Sequence, residues 1–161
     1  MNPETTQTAD GVASRLSVSS SLSSLGVIRT FIRNVCKSSP LLDVDSEIFT
    51  KELAELELGT TEAVSNIMRH GFEGLPEGPL NLECNVKADG QFVLNLAHKG
   101  RYFQANASEP SAISFPQEGG MGLYLISRCV DSVNYVIRPD GTNEIQLKKN
   151  MTLNRKGNRN E

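Results

Sequence analysis

The chain has 161 residues and a formal net charge of −3, with 38% hydrophobic and 22% charged residues. Those values fit one globular domain with a real core, and they give no charge excess for holding nucleic acid or an anionic membrane. No stretch approaches the eighteen apolar residues of a spanning helix, and no apolar segment of secretory type opens the chain. The three cysteines, Cys36, Cys84 and Cys129, are widely spaced and odd in number. Reduced thiols packed in a cytoplasmic protein are the expectation.

Residues 1–13 are polar and aperiodic, which predicts a disordered lead-in. Arg15 to Ser21 alternates Leu16 and Val18 with polar residues and predicts a first strand. The serines that follow are candidates to cap a helix from Leu22 to Cys36, where Leu22, Leu25, Ile28, Ile32 and Val35 recur at three and four. Arg29 and Arg33 lie four apart on its exposed side.

Asp43 to Ser46 supplies caps for a second helix, with Ile48, Phe49, Leu53, Leu56, Ala63, Val64 and Ile67 on its apolar face. The stripe stays in phase across Gly59, so one long helix is predicted through His70. The glycine costs about 1 kcal/mol of helix propensity, and its missing side chain suggests room for something bound. Gly74 to Pro79 reads as a loop. Leu80–Ala88 and Gln91–Ala97 then read as a hairpin joined by a two-residue Asp89-Gly90 turn.

From His98 to Glu118 no period survives, and an irregular run of that length in a small domain is more often functional than not. It leads into Gly119-Gly120-Met121-Gly122, the kind of glycine turn that brings backbone amides and a helix start to an anion. A short helix with Leu123, Ile126, Cys129 and Val130 follows. Ser132–Ile137 and Glu144–Lys148 are the last strands, and residues 150–161 form a polar tail. Together these elements predict an α+β, two-layer α/β sandwich: a mostly antiparallel mixed sheet covered on one face by helices. The domain is expected over residues 14–149.

Within the second helix, Glu62 and Asn66 are one turn apart on one face. Taken alone, such a pair is usually a solvated surface. Its neighbours change that reading. Glu62-Ala63-Val64-Ser65-Asn66 through His70-Gly71 resembles the helix motif E-A-x-x-N-x-x-x-H-G of the anti-sigma-factor serine kinases. Gly100-Arg101-Tyr102-Phe103 is similar to the later part of that family's first glycine box, D-x-G-x-x-F. Gly119-Gly120-Met121-Gly122-Leu123 is similar to its second, G-G-x-G-L. The family belongs to the ATPase superfamily shared by gyrase and the sensor histidine kinases (the Bergerat fold), and the resemblance spans residues 15–149 with the blocks in family order.

The resemblance implies an ATP-dependent protein serine/threonine kinase that phosphorylates an anti-anti-sigma protein and sequesters a sigma factor. A cytoplasmic homodimer without direct nucleic-acid or membrane contact is the implied state. Asn66 would hold Mg2+ against the phosphates of ATP, and Glu62 would be the general base. Gly100 and Phe103 would frame the adenine and begin a lid over residues 101–118. Gly119, Gly120 and Gly122 would turn amides toward the phosphates, with Leu123 continuing the helix behind them. The first helix region would contribute to partner docking. His70 matches its motif position but serves equally well as a helix-end cation.

One position departs from the pattern. The aspartate that accepts the adenine amine in the family is replaced by His98, and no carboxylate occurs between Asp89 and Glu109. That substitution carries an alternative reading, a catalytically degenerate protein-binding module of the same fold that binds ATP weakly or not at all.

Overall fold

The computed structural model describes residues 4–8, 11–102 and 121–155. Six strands form one sheet in the order β1-β2-β3-β4-β6-β5: β1 Glu4–Thr8, β2 Gly11–Ser19, β3 Pro79–Lys87, β4 Gln91–His98, β5 Ser132–Ile137 and β6 Asn143–Asn150. Every pairing is antiparallel, so the expected mixed character is absent among the described strands. Among the described residues three α-helices accompany it: α1 Leu25–Ser38, α2 Glu47–Asn66 and α3 Met121–Cys129. The α+β sandwich read from the sequence is the observed architecture.

Strand alternation sorts the sheet into two faces. Leu80, Leu82, Cys84 and Val86 of β3, Leu94 and Leu96 of β4, and Ile145 and Leu147 of β6 are buried with Ile28 and Ile32 of α1 and Phe49, Leu56, Val64 and Ile67 beyond it. The other face carries polar pairs, Arg15 Nε to Glu83 Oε2 at 2.7 Å and Gln146 Nε2 to Asn95 Oδ1 at 2.9 Å. All three cysteines are buried free thiols, as expected, and burial pushes Cys36 up to about 12 and Cys84 well above its ordinary value.

Several expectations need correction. Residues 4–8 of the expected disordered lead-in are a strand, paired to β2 from Glu4↔Arg15 to Thr8↔Gly11. The free edge of β2 offers unpaired backbone groups, and a threonine-rich segment can meet them without an apolar pattern. The first predicted strand is correspondingly displaced, running from residue 11 rather than 15. The polar tail is also docked as far as Asn154, whose N donates to Leu41 O. Met151 is buried, Leu153 bridges to Leu42, and Thr152 donates through N and Oγ1 to Glu52. Arg33 is not a loose surface charge, since its Nε and Nη2 donate to both carboxylate oxygens of Glu57 and tie α1 to α2.

Turn chemistry explains two further differences. The serines before α1 supply no side-chain cap; Ser24 Oγ donates back to Ser19 O, and Ser20 Oγ accepts from Gly78 N. The β3–β4 connection holds three residues, 88–90, with Gly90 N donating to Lys87 O and Gly90 at φ +85°. That is the three-residue hairpin with a left-handed closing glycine. At α2 the expectation holds, with Ser46 Oγ accepting from Phe49 N as the cap.

The helix runs unbroken through Gly59 and then widens into a π turn, Ile67–Gly71, closed by Phe72 N donating to Ile67 O. Gly59 makes no room for a ligand. A side chain there would begin 3.0 Å from Cys129 Cβ and 3.3 Å from Val130 Cγ1, so the space is taken by the end of α3 and the residue after it. One residue further on, Thr60 is fully buried and its hydroxyl has no hydrogen-bond partner among the described residues. Burying an unpaired hydroxyl costs stability. Thr60→Val, nearly the same shape, should raise the free energy of unfolding by about 1 kcal/mol in urea denaturation.

Candidate functional site

Two clusters form at the two ends of the π turn. At its start, α2 presents Glu62 and Asn66, both half-buried. A Cβ added at Gly122 would lie 3.0 Å from Glu62 Oε2, 3.6 Å from Asn66 Oδ1 and 3.8 Å from Asn66 Nδ2. The first turn of α3 therefore rests directly on the two polar side chains, across the gap that Gly122 leaves. A carboxylate, which can accept a proton, and an amide, which offers both an oxygen and N–H groups, thus face the positive end of a helix. Leu123 packs its partly buried side chain against the core and anchors that turn.

The far end of α3 is held by Lys149, which is 7% exposed. Its Nζ donates to Cys129 O at 2.7 Å and to Glu55 Oε2 at 2.9 Å, joining the C-terminus of α3 to α2 and β6. The same bond draws the Glu55 carboxyl below its usual range. Asp131 Oδ2 accepts from Asn150 N at 2.6 Å just beyond the helix. A cation on the last carbonyls of a helix is favourable, and here it also fixes where the other end of α3 points.

The second cluster surrounds Gly100. Its N–H donates to His98 Nδ1 at 3.2 Å, and its carbonyl accepts from Asn143 Nδ2 at 2.8 Å. Arg101 N donates to Gly71 O at 2.6 Å. A side chain at Gly100 would fall 2.3 Å from Gly71 O, so only glycine permits this approach to the end of the π turn. The absent side chain is thus used by the chain itself. His98 is 2% exposed, and its ring sits 5.7 Å from that of Phe72 at a tilt of 46°.

Of the residues singled out from the sequence, the structure brings Glu62, Asn66 and Gly122 together, with Leu123 behind, and groups His98 with Gly100. Phe103, Gly119 and Gly120 lie outside the described residues, as does most of the expected lid. His70 is on the exposed side of the π turn. Sequence reasoning missed Asn143, Phe72 and the π turn. Asn143 stands opposite His98 in the β4–β6 register, which only the sheet order reveals. No group of three or more His, Cys, Asp or Glu side chains suited to a metal occurs among the described residues. Mg2+ is nonetheless commonly held by one or two protein oxygens plus phosphates and water, and Asn66 beside the α3 start fits that demand.

A family profile for the histidine kinase-like ATPase domain matches residues 18–149. The chain belongs to that family. Among curated relatives it is 28% identical over 105 residues to the anti-sigma F factor of Halalkalibacterium halodurans, covering 63% of this chain and 71% of that protein. It is equally identical, over the same length and shares, to the anti-sigma F factor of Oceanobacillus iheyensis. The resemblance to the anti-sigma-factor serine kinases is thereby upheld.

Solved structures agree on the fold. The RsbU and RsbW domains of Rv1364c from Mycobacterium tuberculosis superpose with a TM-score of 0.55 at 13% identity, over 86% of this chain and 32% of that one. This chain thus spans about a third of that protein's structure. The blue-light activated histidine kinase EL346 of Erythrobacter litoralis gives a TM-score of 0.52 at 16% identity, over 81% of this chain and 41% of that one. No helix among the described residues is long and apolar enough to cross a membrane.

Burial lowers the His98 pKa below its ordinary 6.5. The unfolded chain therefore takes up this proton at higher pH than the folded chain does. Stability from this group is complete above about pH 6.5 and declines as pH falls from there toward the folded value. Between about pH 7.5 and 5.5, wild type should lose more unfolding free energy than His98→Gln, read by urea denaturation at each pH.

Proposed function

We propose that the chain is a kinase-type anti-sigma regulator, a cytoplasmic homodimer that binds a sigma factor and phosphorylates a serine of a small anti-anti-sigma protein. The phosphoryl donor is a magnesium nucleoside triphosphate, ATP in the family's usage. The convergence of Glu62 and Asn66 on Gly122 carries this reading, supported by family membership and the anti-sigma F factor relatives.

The site divides the labour simply. The Asn66 amide oxygen would hold the magnesium, and Gly122 with the α3 start would receive the phosphates. Magnesium and the triphosphate supply, when bound, charge neutralisation and an electrophilic terminal phosphorus. Glu62 accepts the proton of the attacking serine hydroxyl, the work of a general base. The position of that side chain between α2 and α3 supports the role. The buried Lys149 bridge keeps α3 in register without touching the reacting groups.

A second reading is favoured by His98. With Nδ1 committed to Gly100 N, the ring cannot stand in for a carboxylate toward adenine, and a binding module that acts by protein contact alone would follow. Calorimetry with magnesium and nucleotides separates the two, because the module binds them weakly or not at all.

Purified protein, γ-labelled nucleotide and the cognate antagonist should give label on an antagonist serine. Glu62→Gln should cut transfer by about 100-fold or more while nucleotide affinity stays within about threefold. Transfer at the wild-type rate in that variant would sink the kinase assignment. Gly122→Ala offers an independent check. The atom nearest its new Cβ is the far end of Glu62, a flexible side chain that can swing aside. Thermal stability should therefore hold while transfer falls at least tenfold, about the effect of displacing a catalytic group by an ångström.

A further inference from the structure

We infer that Lys149 is a positioning residue for phosphoryl transfer, and that it acts through its hydrogen bond to the Cys129 carbonyl rather than through its ion pair with Glu55. This rests on the transfer reading above and adds a residue at the opposite end of α3 from the reacting groups.

Cys129 follows Gly122 along α3 by a rise of about 10 Å, short enough for the helix to move as one rod. Buried Ile126, Cys129 and, just past the helix, Val130 hold that rod against the core. Apolar contact is non-directional, so it resists separation more than it resists sliding along the helix axis. Helix carbonyls point along that axis toward the C-terminus, and the last of them have no partner within the helix. Lys149 Nζ meets one of these, Cys129 O, at 2.7 Å. Lys149 itself is buried and stands on β6, which is fixed in the sheet between β4 and β5. The bond therefore ties α3 to the sheet in the direction that apolar packing leaves loose. At the other end of the rod, a Cβ at Gly122 would lie 3.0 Å from Glu62 Oε2, so a slide is felt directly at the reacting groups.

The ion pair acts elsewhere. Lys149 Nζ also donates to Glu55 Oε2 at 2.9 Å, but the Glu55 side chain is 33% exposed and has Lys51 Nζ 3.8 Å from its other oxygen. Such a partly solvated pair contributes little. Glu55 also stands on α2, the helix that carries Glu62, and α2 is already held by the fully buried Phe49, Leu56 and Val64. Loss of the pair leaves the spacing of α2 and α3 as it is. Loss of the carbonyl bond lets the phosphate-receiving end of α3 move relative to Glu62, which harms both binding and transfer.

Steady-state transfer by the full chain, with magnesium ATP and the antagonist, tests this under conditions where urea denaturation shows folded protein. Lys149→Met keeps the stem and removes the donor. Its kcat should fall by about tenfold or more and its KM for the nucleotide should rise by about threefold or more, the scale of an ångström's misplacement. Loss of folded protein alone lowers the apparent kcat and leaves KM unchanged. Glu55→Gln keeps an acceptor for Lys149 and should stay within about threefold of wild type in both constants. The Gly122 amide signal in a nitrogen–proton correlation spectrum of the nucleotide-free protein gives an independent reading. It should move in Lys149→Met and stay in Glu55→Gln. Wild-type kcat and KM in Lys149→Met, or an unmoved Gly122 signal, overturns the positioning role. Equal losses in the two variants overturn the assignment to the carbonyl bond. If wild type transfers nothing, the kinase reading fails and the Gly122 signal alone decides whether Lys149 positions α3. If Lys149→Met does not fold, Lys149→Gln, one atom shorter and uncharged, is read in the same way.

Discussion

Helix α3 lies on α2 because two side chains are missing at the contact. A Cβ added at Gly59 on α2 would lie only 3.0 Å from the Cβ of Cys129, and Gly122 on α3 leaves the space into which Glu62 and Asn66 reach. Helix backbones approach this closely only where side chains are absent or small. The consequence is positional. The start of α3 is pressed onto the polar residues of α2, and the buried Lys149 keeps the far end from swinging away. A larger residue at position 59 would pry the two apart, about one turn before Glu62 and on the same α3-facing side of the helix.

The π turn sets the second relationship. It adds one residue to the helical repeat just after Asn66 and carries the chain to Gly71, whose carbonyl receives Arg101 N. Insertions of this kind cost hydrogen-bond geometry and occur often at functional sites. Here the widened turn ties the corner formed by Glu62, Asn66 and Gly122 to the clasp formed by His98, Gly100 and Asn143. The polar corner and the glycine clasp thus stand at opposite ends of one five-residue element.

Much of this architecture was legible because its elements obey simple periods. Strand β3 alternates cleanly, β4 does so from Leu94 onward, and the apolar stripe of α2 continues across Gly59, so these elements were read closely from the residues. What escaped depends on long-range pairing. The role of Asn143 requires β4 to lie beside β6, a pairing across more than forty residues. Strand β1 has no apolar alternation because it satisfies a sheet edge rather than a core. Gly59 and Gly100 were recognised as special, but the space they leave is filled by the protein's own atoms, Cys129 and Gly71, and not by a ligand. The π turn has no compositional signature at all. The Glu62–Asn66 pair was legible only in company, through the two glycine boxes.

The buried thiols have a use outside the site. Cys36 and Cys84 are enclosed in the core beneath the sheet, and their raised pKa values keep them in the unreactive, protonated form near neutral pH. Cys129 sits at the α2–α3 contact instead, buried against Gly59. Alkylation of each can proceed only through an opening that exposes it, so the rate of labelling at each position measures how often that part of the molecule opens. The native chain carries its own site-resolved stopwatch, with one reporter where α3 meets α2 and two in the core.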